Sequence, residues 1–175
     1  MNKLDLQLFS EAVKGKKIIY LFRPLSAAAT SAGTALAFTT ENGRSKSKDA
    51  DSTATKDGSI RTPGVTETEI TATCIMADDD TMITALETAM ESDGLIEIWE
   101  ANLEKAGTTA GTYKGIYFQG YLTELEMNAN AEDYVECSLT FGINGSGKSG
   151  DVTVSAAQQE IASYVFRDSI KATGV

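Results

Sequence analysis

Residues 112–145, TYKGIYFQGYLTELEMNANAEDYVECSLTFGING, constrain the fold more than any other stretch, because polarity alternates there with a period of two. Val135, Cys137, Leu139, Phe141 and Ile143 fall on one face, and Glu136, Ser138 and Thr140 fall on the other. Such alternation marks a half-buried strand with one wet face. The first half is apolar on both parities, with Ile116, Phe118 and Leu122 against Tyr113, Tyr117 and Tyr121. Beyond Leu122 the apolar parity moves to Leu125 and Met127, so a bulge or bend is expected near Gly120. The link Asn128-Ala-Asn-Ala131 is short and turn-prone. The two halves are therefore expected to pair as a long antiparallel hairpin, the central ribbon of a β-sheet protein.

With 175 residues and no long polar tail, residues 1–175 read as a single domain with a real core. No window approaches the ~18 uninterrupted apolar residues of a membrane span, so no membrane insertion is expected. The opening MNKLDLQLF alternates apolar and polar residues and lacks a signal-peptide core. Cys74 and Cys137 both occupy apolar positions of expected strands and read as buried free thiols in a reducing compartment. A disulfide or metal pair is the other reading, but neither has a cysteine or histidine nearby in sequence.

The chain has no histidine. That removes Ser-His and Cys-His nucleophiles, the usual zinc ligand sets and the commonest general base. A net charge of −10 argues against non-specific nucleic-acid binding, which needs cations to neutralise phosphates. It does not argue against a protein that nucleic acid must pass without sticking.

In chain order, residues 1–13 read as an arm with isolated apolar positions at Leu4, Leu6, Leu8 and Phe9. KKIIYLF at 16–22 reads as a strand covered on both faces and closed by Pro24. Leu36, Phe38 and Thr40 are expected to begin a second strand. Residues 42–64 hold one aliphatic side chain, Ile60, and five cations against three carboxylates. Such a segment lacks the apolar area to order itself, so it is expected as a long hairpin loop, either a solvated flexible tip or a functional loop that gains order from a partner. Residues 65–76 return as a strand. A helix over about 79–93 follows, with Asp78, Asp79 and Asp80 at its N-terminus, Ile83, Leu86 and Met90 (with Ala89) as its stripe, and Gly94 at the C′ position. LIEIWE at 95–100 is a strand, 102–111 a polar loop and 146–150 a Gly/Ser turn. Ser155-Ala-Ala-Gln158 has the form of a capping box opening a C-terminal helix over 155–170, with Ile161, Ala162, Val165 and Phe166 as apolar positions.

Several motifs dissolve on inspection. Gly142-Ile-Asn-Gly-Ser-Gly-Lys-Ser149 satisfies the P-loop pattern, yet Gly150, Asp151 and the β-prone Val152-Thr-Val154 follow where a helix must start. Asp49-Ala-Asp51-Ser-Thr53 mimics an aspartyl-phosphatase motif but follows RSKSK rather than an apolar strand. The Asp78–Asp80 run lacks the interleaved spacing of a calcium loop. Glu67/Glu69 and Glu124/Glu126 would suit glycoside hydrolysis by number, but threonine neighbours make them a solvated sheet face. No catalytic, cofactor or metal constellation is expected, and the chain reads as a structural or binding protein rather than an enzyme.

Texture carries the rest. Lys14-Gly-Lys-Lys-Ile-Ile-Tyr-Leu-Phe22, Ser47-Lys-Asp-Ala-Asp-Ser-Thr-Ala-Thr-Lys-Asp-Gly58, Arg61-Thr-Pro-Gly64 leading into Glu69-Ile-Thr-Ala-Thr73, Tyr117-Phe-Gln-Gly-Tyr-Leu122, Asn130-Ala-Glu-Asp133 and Leu139-Thr-Phe-Gly-Ile-Asn-Gly145 span most of the chain. Together they resemble the major tail proteins that build the tail tube of long, non-contractile-tailed bacteriophages. The resemblance implies a mainly β fold, an antiparallel sandwich or barrel with a flanking helix. It implies hexameric rings stacked into a tube whose inner β-barrel passes double-stranded DNA at ejection without binding it. Its implied partners are further copies of itself, a tape-measure protein, and tail terminator and tail-tip proteins. Its implied location is the virion, after assembly in the bacterial host cytoplasm. No cofactor is implied.

On that basis the wet faces of two strands are expected to line the channel: Glu67, Glu69, Thr71 and Thr73 on one, Glu136, Ser138 and Thr140 on the other. Glu124 and Glu126 are candidates to join them. Contacts between subunits or rings are expected from Leu4, Leu6, Leu8 and Phe9 of the arm, and from Arg44, Lys46, Lys48, Asp49, Asp51, Lys56, Asp57 and Arg61 of the 42–64 loop. Two other classes stay open: a monomeric β-sandwich that binds carbohydrate or receptor, and a nucleotide-dependent enzyme resting on the P-loop match alone. The first would want exposed aromatics around a groove, whereas Trp99 is the single tryptophan.

Overall fold

A computed structural model describes residues 13–78 and 80–163. Leu4, Leu6, Leu8 and Phe9 of the expected arm lie outside those residues, as does the expected C-terminal helix beyond Ser163. In chain order the elements are β1 (Ile18–Pro24), β2 (Thr39–Thr55), β3 (Gly58–Ile75), α1 (Thr81–Glu91), β4 (Ile96–Ala106), β5 (Thr112–Asn128), β6 (Glu136–Ile143), β7 (Lys148–Thr153) and α2 (Ala156–Ser163).

The fold is mainly β, and its seven strands form one antiparallel sheet in the order β1-β4-β5-β6-β3-β2, with β7 added on β5. The long strand β5 holds it together. Its first part pairs with β4 on one edge and β7 on the other, and its last part pairs with β6. The parity change read from the sequence is a register shift between Leu122 and Glu124, just beyond Gly120. Before it Leu122 is paired with Phe141 toward the core; after it Leu125 is paired with Leu139 on the same side. A bulge of this kind bends a strand and increases its twist. One sheet thereby curls over itself.

The main core lies inside the curl. Phe22 of β1, Ile96 and Ile98 of β4, Phe118 and Leu122 of β5, and Leu139 and Phe141 of β6 are buried there, with Ile70, Ala72 and Cys74 of β3. Helix α1 closes it with Ile83, Leu86 and Ala89. Asp80 caps the helix, its Oδ1 accepting from the backbone N–H groups of Met82 at 3.0 Å and Ile83 at 3.2 Å. At the other end Asp93, not Gly94, takes the left-handed C′ conformation, with φ of +52°. Gly94 N–H then donates to Ala89 O at 2.7 Å, closing a Schellman turn. A second cluster, Leu21, Ala101, Val152 and Val154, sits on the opposite face of β1, β4 and β7. The capping box is present as written: Gln158 N–H donates to Ser155 Oγ and Ser155 N–H to Gln158 Oε1.

Four further sequence readings change. The second strand begins at Thr39, and Phe38 stands outside it with φ of +45°. Residues 102–106 extend β4, and the Gly/Ser turn ends at Lys148, where β7 begins. The largest change is at 42–64, expected as a loop without structure of its own. It is the ladder of β2 and β3, paired from Thr39↔Cys74 to Thr55↔Gly58 across the two-residue turn Lys56-Asp57, with register shifts between Thr39 and Glu41 and between Lys48 and Ala50. Its Ser, Thr and Ala side chains bury nothing. The ladder is ordered by backbone pairing propagated from the core end of the same two strands.

Candidate assembly interface

The wet faces expected from the alternation come together on one surface. Because β5, β6, β3 and β2 are neighbours, their cross-strand partners form rows. One row runs Glu126, Ser138, Thr73, Glu41; the next runs Glu124, Thr140, Thr71, Gly43; the third runs Tyr121, Gly142, Glu69, Ser45. Glu67 continues the face beside Ser47, and Glu136 stands opposite Asn128 at its end. Glu67, Glu69, Thr71 and Glu136 are exposed, whereas Thr73, Ser138 and Thr140 are half-buried among their neighbours. Glu124 and Glu126, whose side was ambiguous in the sequence, are put on this face by the bulge. Every charge on these rows is a carboxylate.

Both borders of this four-stranded surface are open. Among the described residues β2 pairs only with β3, and β5 beyond Gly120 has no neighbour on the side that β4 occupies earlier. Unpaired edges of this length invite further strands. The strands alternate in direction across the four, so the two open edges run oppositely. One copy's β2 and another's β5 would meet antiparallel.

The residues expected at subunit contacts divide into two groups. Arg44 is used inside the chain. Its Nε lies 2.6 Å from Glu100 Oε2, and its guanidinium lies 5.9 Å from the Phe118 ring centroid. Tyr20 also donates to Glu100 Oε2, at 2.9 Å. Burial, then the Glu100 carboxylate, pushes the Tyr20 hydroxyl well above its ordinary range, and the hydrogen bond to Glu100 raises Arg44 further. Lys46 donates to Ser146 O at 3.1 Å, tying the base of the β2–β3 ladder to the turn before β7. The rest, Lys48, Asp49, Asp51, Lys56, Asp57 and Arg61, are exposed on the ladder beyond the body of the sheet. From residue 48 to the turn, seven residues at ~3.4 Å each make an overhang of about 24 Å.

The P-loop mimic does not form a nucleotide site. Residues 144–147 make a turn in which Gly145 and Gly147 have φ of +76° and +78°, and strand β7, not a helix, starts at Lys148. The aromatic-groove reading finds no platform at Trp99, the single tryptophan. Trp99 is packed against Gly33, where a Cβ would lie 2.8 Å from the ring, and under the Arg23 guanidinium at 5.0 Å. Arg23 is held there by Glu97, 2.6 Å away, which also accepts from Tyr117 at 2.7 Å. Among the described residues no cluster of His, Cys, Asp and Glu is arranged to hold a metal.

A family model described as phage tail tube protein matches residues 12–148. A tail protein of Staphylococcus phage phiMR25 is 32% identical over 144 residues, 79% of this chain and 75% of that protein. Among solved structures, the SPP1 tail tube superposes with a TM-score of 0.71 at 21% identity, covering 93% of this chain and 95% of that one. The tail of an empty gene transfer agent particle, refined with C6 symmetry, superposes with a TM-score of 0.59 at 13% identity, covering 78% and 98%. Fold and sequence agree, and the chain belongs to the phage tail tube protein family, structural components of the virion tail.

Proposed function

We propose that the chain assembles as six-fold rings stacked into a tube, with the β5-β6-β3-β2 surface turned inward as the wall of a DNA conduit. The observation that carries this reading is one surface that is acidic across its rows and open at two antiparallel-compatible edges. Six copies, the symmetry of the gene transfer agent tail, contribute four strands each. Twenty-four strands spaced ~4.8 Å apart give a circumference of about 115 Å and a backbone diameter of about 37 Å. Allowing about 5 Å of side chain on each side leaves a bore of about 27 Å, and strand tilt widens it. A B-form duplex fits with a layer of water. Closure also removes the two exposed edges, which otherwise template aggregation.

The wall chemistry suits passage rather than binding. Within a Debye length of ~8 Å the carboxylates repel phosphates, and the Thr and Ser hydroxyls keep water at the surface. Before ejection the same bore accommodates a tape-measure protein, and terminator and tip proteins close its ends. The β2–β3 overhang supplies the contact between rings. The test is cryo-electron microscopy of the purified chain. Tubes whose lumen displays Glu69, Thr71 and Thr140 support the proposal. A monomer under all conditions, or tubes with those side chains facing outward, would overturn it.

A further inference from the structure

The turn that stands where a P-loop would be carries a different chemistry. It contains Asn144-Gly145, one of two Asn-Gly dipeptides in the chain; the other is Asn42-Gly43. An asparagine followed by glycine can react within its own chain. The glycine's backbone nitrogen attacks the side-chain Cγ, and no Cβ on the glycine hinders the approach. A folded chain permits this only under three conditions. The glycine N–H must be free of a structural hydrogen bond, the main chain must be able to swing the nitrogen onto Cγ, and water must reach the product.

The two dipeptides differ on each count. Asn42-Gly43 lies inside the β2–β3 ladder, where Asn42 pairs with Ala72 and Gly43 with Thr71, and both residues are half-buried. A paired strand keeps the backbone extended and holds the glycine nitrogen away from the preceding side chain. Asn42 Oδ1 is itself shut off from solvent. Asn144-Gly145, by contrast, stands in the turn between β6 and β7, and both residues are exposed. Asn144 N–H donates to Gln119 O at 2.8 Å, but among the described residues Gly145 N–H has no acceptor. Gly145 and Gly147 flank Ser146 with φ of +76° and +78°, so glycine freedom sits on both sides of the turn's tip.

We propose that Asn144-Gly145 is a self-modifying site. The Gly145 nitrogen bonds to Asn144 Cγ, the Cγ–Nδ2 bond breaks, and ammonia leaves with the proton that the Gly145 nitrogen gives up. Water then opens the resulting succinimide ring at either carbonyl, giving aspartate or isoaspartate at position 144. No oxidant, metal or enzyme enters the balance. Each conversion adds one carboxylate to a chain whose net charge is −10. The charge arrives two residues from Ser146, whose carbonyl accepts from Lys46 Nζ at 3.1 Å. Isoaspartate also lengthens the main chain by one methylene. The turn has little slack for it, because Gln119 holds one end and Gly147 lies against the Phe118 ring with no room for a Cβ. The site depends on this turn alone and not on the proposed tube.

Ageing the purified full chain in mildly alkaline buffer tests it. After digestion, the single mass unit gained on deamidation is located by fragment-ion sequencing. In the folded chain Asn144 is expected to convert at least about tenfold faster than Asn42, because conversion at Asn42 waits for the ladder to open. In urea that protection is gone, and the two rates should converge. Ion exchange of the folded chain should show a more acidic fraction growing at the Asn144 rate. Asn144→Gln keeps a side-chain amide at an exposed position, so its thermal melt should match the unaltered chain while the fast acidic fraction disappears. Equal rates at the two sites in the folded chain would overturn the proposal. So would a fast acidic fraction that persists in Asn144→Gln, or a folded chain in which neither site converts while both do in urea.

Discussion

Phe22 and Phe141 stack with ring centroids 5.1 Å apart and an interplanar angle of 23°, although β4 and β5 separate their strands in the sheet. In a flat sheet, strands three positions apart lie about 14 Å from each other, so the stack measures the curl directly. Both rings are fully buried. Phe141→Ala should therefore cost about 3–5 kcal/mol, the range for a truncated core phenylalanine. Phe38→Ala, at an exposed ring, should change the stability of the unassembled chain by less than about 0.5 kcal/mol. Urea unfolding of the unassembled chain checks both. Equal effects would mean that the curl is not what holds the sheet.

Glu100 joins three elements: β4, which carries it, β1 through the Tyr20 hydroxyl, and β2 through the Arg44 guanidinium. The pair is only partly exposed, so its loss is felt more than that of a surface ion pair, whose median is about 0–1 kcal/mol. Glu100→Gln is expected to destabilise by about 1–3 kcal/mol and Tyr20→Phe by about 1 kcal/mol. In a double-mutant cycle Tyr20→Phe and Glu100→Gln should be non-additive. Strict additivity would show that the hydroxyl and carboxylate act independently.

Cys74 and Cys137 are register partners on β3 and β6, both with no exposed surface. Burial pushes the Cys74 thiol up to about 12, and burial likewise raises Cys137. The folded state thus holds protonated thiols that the unfolded chain releases as thiolates above about pH 8.5. Their contribution to stability is complete below that pH and is lost as pH rises toward 12. A thiol reagent should leave the folded chain untouched at pH 8 and titrate both residues after unfolding. The alkaline decline in melting temperature should be shallower in Cys74→Ala, even though Tyr20 adds its own alkaline slope. Rapid labelling of the folded chain, or an unchanged decline, would count against this account.

What the sequence made legible was whatever depends on neighbours along the chain. The wet and dry faces of β3 and β6 follow from period-two alternation, and the parity change after Leu122 fixed the side of Glu124 once the bulge was located. The Ser155–Gln158 box and the Asp80 cap are three-residue relationships. By contrast, residues 42–64 were read by burial alone, and burial is silent where a ladder extends into solvent. Gly58 was the missed signal: it pairs with Thr55 just beyond the two-residue turn Lys56-Asp57 and has φ of +135°, a conformation that favours glycine. The Arg44–Glu100 pair spans 56 positions and the Phe22–Phe141 stack even more. Such distances are set by topology, which no local pattern encodes.

The acidic face allows a separate test of the wall. Glu69, Glu124 and Glu126 stand on adjacent rows and take no part in the core, so replacing all three by lysine should leave the monomer folded. If the face encloses the channel, six copies convert eighteen carboxylates per ring into eighteen cations, spaced within a Debye length of any phosphate in the bore. Tubes built from this variant should retain duplex DNA at low salt and release it as salt rises, with the steep logarithmic dependence of counterion release. In a phage carrying the variant, ejection should slow or stall. Glutamine at the same three positions removes the repulsion without adding attraction and should fall between the two. Tubes of the lysine variant that pass DNA as freely as the unaltered ones would place these residues away from the lumen, whatever the symmetry of the ring.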